Sequence, residues 1–320
     1  RRRQRQLQQQ WVQQRLRRRL RRRVTPRFGL LYRAEQRAAL FATRPRVEAL
    51  EIVAEHFLDL TAEQRDELEV LRAHFPLTVH ALGTSIGSAD GVDERHLERI
   101  ARLLDYVRPL WWSDHLAFTR VGTTQLGAFA PLPHTHEAVD VVARNAARVR
   151  AIVTAPFALE NPAAPFAVDG AELAPAEFLA GVCAAADCGL ILDVENLHAD
   201  AWNLGCDADA VVAAVPVERI VEVHLAGGRR IGSEYADSHD APVPDATWRL
   251  YAALCARRIP PLTLIERETG LPPFETLLAE LDAARAVARR AVVESAAAES
   301  APSFDKLRMT GVAQHGRIVA

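Results

Sequence analysis

The sequence predicts an α/β fold, a TIM (β/α)8 barrel with extended tails, and three observations predict it. Eight short runs of β-branched and aliphatic residues alternate with amphipathic segments of roughly ten to twenty residues, the pattern of βα units around a parallel sheet. Most runs end in a histidine or a carboxylate, as barrel strands do where their C-terminal ends converge on one catalytic face. A dinucleotide-binding alternative lacks its fingerprint, since Gly83, Gly87 and Gly91 follow the third run without opening a helix.

In chain order the strands are expected at 28–32, 49–53, 77–82, 110–113, 156–160, 189–193, 220–225 and 262–266. Expected helices follow each of them, at 34–43, 62–74, 93–107, 135–153, 175–187, 207–214, 245–258 and 274–290. Thr61 ahead of Ala62-Glu63-Gln64, and Asp245 ahead of Trp248 and Leu250, are residues of the type that caps a helix start. The paired Trp111 and Trp112 read as strand packing. A metal-binding barrel is thus expected over 26–290. Ahead of it, residues 1–25 form a basic Arg/Gln-rich leader, expected to be disordered or helical, with Leu7, Trp11, Leu16 and Leu20 at helix-like intervals. Behind it, 291–320 turns to Ala, Ser and Glu without a sustained period and is expected to be a low-order tail.

Composition narrows the function. At 320 residues, 49% apolar and 25% charged, the chain can bury one large core. No apolar run approaches the roughly 20 residues of a membrane span, and the Arg/Gln start lacks the apolar centre of a secretory signal, so a cytoplasmic protein is expected. Eleven arginines and no acid in residues 1–23, set against a total of −2, leave about −13 on the remainder. An acidic body argues against nucleic acid as a partner. Cys183, Cys188, Cys206 and Cys255 have no zinc-ligand spacing and read as buried thiols. Lys306, in the tail, is the only lysine, which excludes Schiff-base aldolases, P-loop nucleotidases and lysine-assisted isomerases.

The strand ends carry the chemistry. They supply His80, Asp114 with His115, Glu160 with Asn161, Asp193 with Glu195 and Asn196, His224, and Glu266. The loop after the seventh strand adds Asp237 and His239, whose spacing lets both approach one point. Carboxylates crowded together in a barrel mouth are tolerable only when cations neutralise them. Imidazole and carboxylate without thiolate suit iron, manganese or catalytic zinc. The donors exceed what one ion takes, so at least two ions sharing a bridging carboxylate are expected, with Glu160 as the bridge. Among the remaining histidines, His74 and His96 read as surface residues of helices, His134 and His136 open a helix, His198 sits in a loop, and His56 is a lesser candidate for the mouth.

Read together, these strings resemble the multinuclear non-heme iron-dependent oxidative enzymes, the family that includes the methanobactin-biosynthesis oxidase. The resemblance spans roughly residues 27–288. It rests on Leu50-Glu51-Ile52-Val53-Ala54-Glu55, on His80 through Gly87, on Ser113-Asp114-His115-Leu116 and on Leu159-Glu160-Asn161-Pro162. It continues through Leu192-Asp193-Val194-Glu195-Asn196, His224-Leu225-Ala226-Gly227-Gly228, Asp237-Ser238-His239 and Leu264-Ile265-Glu266-Arg267-Glu268.

That resemblance implies a xylose-isomerase-like barrel holding two or three irons, with O2 as co-substrate. The implied reaction is oxidation of a residue, often Cys, in a ribosomally made precursor peptide that a separate partner protein presents. It implies His80, His115, Glu160, Asp193, His224, Asp237, His239 and Glu266 as metal ligands, with Asn161, Glu195 and Asn196 in or beside the coordination sphere. Asp240 and Glu268 are candidates to move protons or orient histidines, and Arg229, Arg230 and Arg267 to bind a peptide carboxylate. Two positions depart from the family pattern: Gly228 stands where many members have His, and Glu195 where they have Asn. Two rival readings share the same residues. One is a divalent-metal sugar isomerase, epimerase or endonuclease-type phosphoesterase, which works without O2; the other is a barrel that only binds metal or peptide within a complex.

Overall fold

The computed structural model describes residues 25–300, and side chains as far as residue 294. Nearly all of the expected leader, the residues after 300 and Lys306 lie outside the described residues. Twelve strands are described: β1 (Arg27–Leu31), β2 (Ala49–Val53), β3 (Leu77–His80), β4 (Trp112–His115), β5 (Phe118–Val121), β6 (Thr124–Ala130), β7 (Phe157–Glu160), β8 (Gly189–Asp193), β9 (Ile220–Leu225), β10 (Arg229–Ile231), β11 (Glu234–Ala236) and β12 (Leu262–Ile265). Eight of them close into a barrel in the order β1-β12-β9-β8-β7-β4-β3-β2. Every pairing within it is parallel. The TIM barrel expected from the sequence is therefore present.

Strands covered on both faces read as continuous aliphatic runs, which is why β7, β8, β9 and β12 are buried throughout. In β1 the barrel needs a glycine. A Cβ on Gly29 would stand 2.4 Å from the Ala49 carbonyl oxygen of β2, so no side chain fits between the two backbones.

Residues two apart on a strand share a face, and this layers the interior. Ala49, Trp111, Ala158, Ile191, Val221, Leu262 and Leu264 pack into an apolar plug. Two residues on from Ala49, Trp111, Ala158, Ile191 and Leu264 stand Glu51, Ser113, Glu160, Asp193 and Glu266, so the plug lies beneath the polar layers. In β9 the pairing with β8 slips between Leu190 and Ile191, which brings Ile191 opposite Glu222. Trp112 points the other way and packs on Phe157 with ring centroids 4.5 Å apart. Both tryptophans are buried, in line with strand packing.

The outer core lies between strands and helices. Leu97, Ile100, Leu103, Leu104 and Val107 recur along one face of the helix Glu94–Val107, and all are buried. Thr61 caps the helix Ala62–His74 in a reciprocal box, accepting from the Gln64 N–H at 3.3 Å while the Gln64 side chain accepts from the Thr61 N–H at 2.9 Å.

The local differences from expectation have physical causes. The fourth strand lies two residues later than expected, because pairing with β7 sets Trp112 opposite Phe157 and His115 opposite Glu160. The first helix begins as a 3-10 turn, Ala34–Gln36, before Arg37–Ala42. Asp245 does not cap its helix; Pro244 holds that position and Asp245 is the first helical residue. A helix absent from the sequence reading, Val194–Leu204, starts directly at the end of β8, because the Asp193 carboxylate accepts from the Asn196 N–H at 2.8 Å and caps it. His198 therefore lies on a helix, not in a loop. The last helix, Phe274–Ser300, runs past the expected end at 290. Two hairpins, β5–β6 and β10–β11, rise from the loops after β4 and β9. Cys183, Cys188 and Cys255 are buried free thiols as expected, whereas Cys206 is partly exposed. No helix among the described residues is long and apolar enough to cross a membrane.

Candidate metal centre

The ends of β3, β4, β7, β8, β9 and β12 bring six of the expected donors into one mouth. His80, His115 and Glu160 offer ligand atoms within 4.8 Å of one another, and so do Glu160, Asp193, His224 and Glu266. Glu160 belongs to both groups, with Oε2 toward His80 and His115 and Oε1 toward His224. A third group, His239, Glu266 and Glu268, shares Glu266 with the second. Asp237 joins at the rim, its carboxylate 2.6 Å from His239 Nε2. The backbone at His239 is left-handed, with φ 45°, an uncommon conformation for a non-glycine residue that turns up at functional sites.

Each ring nitrogen has a defined neighbour. His80 Nδ1 bonds Ser113 Oγ at 2.8 Å, leaving Nε2 3.4 Å from Glu160 Oε2. His224 Nδ1 lies 3.2 Å from both Glu160 Oε1 and Glu266 Oε2, and its Nε2 lies 3.3 Å from Glu51 Oε1 on the opposite side. His239 Nε2 lies 3.6 Å from Asp193 Oδ2 and Nδ1 lies 3.3 Å from Glu266 Oε2. His115 Nε2 stands 3.9 Å from Glu160 Oε2, with Phe129 of β6 stacked on its ring at 3.7 Å.

Protonation shows how strained this crowd is. Burial alone would raise the Glu160 carboxyl, but His224, His115 and His80 pull it down to about 2. Burial alone would lower the His224 imidazole, yet Glu160, Glu266 and Glu51 raise it well above the usual histidine range. His239 is raised in the same way by Glu266 and Asp237 against burial. His115, farther from these acids, is lowered by burial to about 3. Asp193 is pushed well above the usual carboxylate range by burial, with Glu160 reinforcing and His239 opposing.

Several buried donor atoms have no hydrogen-bond partner among the described residues: Glu160 Oε2, Asp193 Oδ2, Glu266 Oε2 and His115 Nδ1. Unpaired buried polar atoms are costly, and all four residues belong to the overlapping donor groups. A hard or borderline dication fits such a set, since all donors are N or O.

The remaining sequence candidates divide. Asn161 does not present its side chain to the donors; it clamps the end of β8, donating to the Asp193 carbonyl at 3.0 Å and accepting from the Asp193 N–H at 2.9 Å. Asn196 donates to the Asn161 carbonyl at 3.0 Å and keeps a buried, unpartnered Oδ1. Glu195 is fully buried and saturated, accepting from the Gly228 N–H at 2.9 Å, from Thr247 Oγ1 at 2.5 Å and from the Tyr235 hydroxyl. It therefore braces the loop after β9 and does not supply an anionic donor to replace the missing imidazole. Gly228 itself has no room for one: a Cβ there would stand 2.1 Å from the Ala236 carbonyl oxygen.

Asp240 accepts from Ser238 Oγ at 2.6 Å and pairs with Arg229. Glu268, at the exposed rim, has its carboxyl raised above the usual range by partial burial and by Glu266. Arg230 lies over the Trp202 ring, 4.9 Å from its centroid. Arg267 is not at the mouth: it is 3% exposed and its guanidinium meets Glu280 of the last helix at 3.0 Å, so it is unavailable to a peptide carboxylate. His56 is exposed in a short turn and His96 faces Glu55 at 3.6 Å.

Sequence reasoning missed the acids beneath the mouth. Glu51 and Glu222 are fully buried and form a further donor group with His224. Burial, with Glu51 reinforcing, raises the Glu222 carboxyl well above the usual range, and Trp111 Nε1 donates to it at 2.6 Å. A signal existed: Glu222 and His224 are two apart on one strand and must share a face. Asp114, which the sequence places at a strand end beside His115, is raised to about 7 by burial and holds the loop after β3 through the Thr84 N–H at 2.7 Å.

Comparison with known proteins agrees with this architecture. The chain is 39% identical over 260 residues to the UPF0276 protein of Caulobacter vibrioides, covering 81% of this chain and 93% of that one. The UPF0276 protein of Rhizorhabdus wittichii is 40% identical over 242 residues, covering 76% and 87%. Among solved structures, D-psicose 3-epimerase from Clostridium cellulolyticum H10 superposes with TM-score 0.53 at 13% identity, over 83% of this chain and 99% of that one. The 3-keto-D-glucoside 4-epimerase YcjR from E. coli gives TM-score 0.52 at 16% identity, over 82% and 100%. At such identity these two share the barrel fold alone. The family model described as the RiPP precursor modification enzyme MbnB/TglH/ChrH matches residues 27–289, nearly the whole described barrel, and the chain belongs to that family.

Proposed function

We propose that this barrel is an iron-dependent oxidase that uses O2 to modify a residue, Cys in the first instance, of a ribosomally synthesised precursor peptide brought to it by a separate protein. The observation that carries the reading is the set of overlapping donor groups joined through Glu160 and Glu266, in a chain of the RiPP precursor modification family. His80, His115 and Glu160 would hold one ion, and Glu160, Asp193, His224 and Glu266 a second. His239 with Asp237, Glu266 and Glu268 would serve a third position. Bound iron supplies redox equivalents to O2 and a Lewis acid for a substrate thiolate.

The chain's own residues do the positioning. Ser113 Oγ holds the His80 ring through Nδ1, Glu51 faces His224 Nε2 at 3.3 Å, and the Asn161 clamp with the Asn196 N–H holds the Asp193 carboxylate in place. Phe129 covers His115 and shields that side of the mouth from water. Glu268, with its raised carboxyl at the rim, is placed to hold a proton beside His239 and Glu266. Arg229 and Arg230 lie on the exposed β10–β11 hairpin, where a peptide carboxylate can reach them.

Anaerobic purification followed by metal analysis and Mössbauer spectroscopy tests the reading. About two irons per chain, with O2 consumed only when precursor peptide is added, is the expected result. Stoichiometric zinc or manganese with turnover of a sugar or phosphoester in the absence of O2 overturns it in favour of the isomerase or phosphoesterase. Metal loading without O2 consumption in the presence of peptide and partner leaves a binding barrel.

A further inference from the structure

A cavity of about 300 Å³ opens beside the donor cluster, between the loop after β4, the loop after β7 and the helix Val194–Leu204. Its walls begin one residue past two donors: Leu116 follows His115 and Asn161 follows Glu160. The other walls are apolar, among them Leu132, Leu173 and Phe178, and Phe166 stands 57% exposed beside the opening. Asn161, Asp200 and His134 are its polar side chains besides Cys206. Asn161 is committed to the Asp193 backbone, Asp200 accepts from the Ala164 N–H at 2.8 Å, and His134 stacks on Phe178 at 4.6 Å. The reaction assigned to the mouth uses none of this space.

We propose that this cavity is a specificity pocket that takes a bulky apolar side chain, aliphatic or aromatic, from the substrate peptide within two or three residues of the one being modified. The inference rests on the peptide-modifying reading above. Three features select this occupant. An extended peptide advances about 3.3–3.6 Å per residue, so a chain whose reactive residue lies at Glu160 and His115 passes the neighbouring wall within a few residues. The volume suits one large side chain and exceeds what a small residue fills. The lining leaves an entering group to be held by burial of apolar surface, which discriminates against Ser, Asp or Lys by roughly tenfold or more. An apolar pocket beside the reacting group gives the enzyme a way to choose one residue of a peptide that contains several of the same kind.

Cys206 supplies the test, because it lines this cavity and is the one thiol of the four that is not buried. Its alkylation by iodoacetamide, followed by intact mass, is measured on the full chain with acetyl-Leu-Ser-amide, acetyl-Phe-Ser-amide, acetyl-Ser-Ser-amide, acetyl-Asp-Ser-amide and octanoate as probes. The Leu and Phe probes are expected to slow Cys206 alkylation at least fivefold at concentrations where the Ser and Asp probes do nothing. Leu173→Trp, which fills the cavity, and the exposed-loop variant Ala167→Trp, which leaves the core untouched, are both expected to abolish the difference between probes. Equal protection by all four dipeptides, or none, overturns the proposal, as does protection by octanoate alone, which assigns the cavity to an acyl chain. The measurement needs neither metal nor O2. Selective protection in a protein that proves not to be an oxidase sinks the proposed reaction and keeps the pocket; an active oxidase without selective protection does the reverse.

Discussion

Replacing Glu195 separates a structural carboxylate from a ligating one. The side chain is fully buried and receives the Gly228 N–H, the Thr247 hydroxyl and the Tyr235 hydroxyl. In Glu195→Ala the Gly228 N–H keeps a partner, since it also lies 2.9 Å from the Tyr235 oxygen. The two hydroxyls lose theirs. A buried donor left without an acceptor costs about 1–3 kcal/mol, so two of them, with the small cavity left behind, amount to about 3–5 kcal/mol. That is a large part of the roughly 5–15 kcal/mol that holds a typical domain folded. Urea denaturation of the metal-free protein, followed by circular dichroism, reads this loss directly. Glu195→Gln is expected to fall between, because its amide offers one acceptor oxygen and turns a donor toward a donor. Metal content per folded chain is expected to be unchanged in both variants. A variant that loses an ion while its urea midpoint stays within the error of wild type refutes the reasoning and makes Glu195 a ligand.

Glu160→Gln removes the carboxylate shared by two donor groups, and at least one ion per chain is expected to be lost by mass-spectrometric metal analysis while the fold, read by circular dichroism, persists. Glu51→Gln keeps an acceptor near His224 Nε2 but not its charge, and is expected to weaken divalent-metal binding about 10–100-fold in competition with a chromophoric chelator. The pH dependence follows from signs. His224 and His239 are raised in the metal-free fold, so their contribution to stability is complete below the ordinary histidine value of about 6.5 and is lost as pH rises through their higher folded values. Asp193, also raised, is protonated in the fold at pH values where the unfolded chain has already ionised, so it too favours the metal-free fold less as pH rises. Metal replaces these protons, and the increase in melting temperature on adding ferrous ion under anaerobic conditions is expected to grow between about pH 6 and pH 8. An increase that shrinks over this range contradicts the assignment of these donors.

Much of the barrel was legible because parallel strands covered on both faces must be aliphatic along their length, and β2, β8 and β9 fall on the expected ranges. What escaped was set by tertiary pairing or by polar residues acting locally. The fourth strand is placed by its ladder to β7, which no run of hydrophobicity encodes. The helix Val194–Leu204 starts from Asp193, and the capping signal was present in Asp193 and Asn196, but both had been assigned to chemistry. One side chain does both jobs: Asp193 Oδ1 caps the helix while Oδ2 faces His239.

The clustering of the candidate donors was legible for a different reason. A histidine or carboxylate that ends an aliphatic run breaks the pattern at the point where a barrel gathers its strands, so position alone marks it. Glu51 and Glu222 interrupt the pattern one layer lower, inside the run, where an acid reads as noise in an otherwise apolar strand. Their placement explains a feature of the mouth that the upper donors leave unexplained. His224 has acids on both nitrogens, Glu160 and Glu266 at Nδ1 and Glu51 at Nε2, so its ring is held from below while its upper nitrogen stays directed at the shared carboxylates. An imidazole held on one side only would be free to turn toward the acid beneath it. Glu51 thus holds the His224 ring from below, while Glu222, whose carboxyl burial raises well above the usual range, takes its hydrogen bond from Trp111.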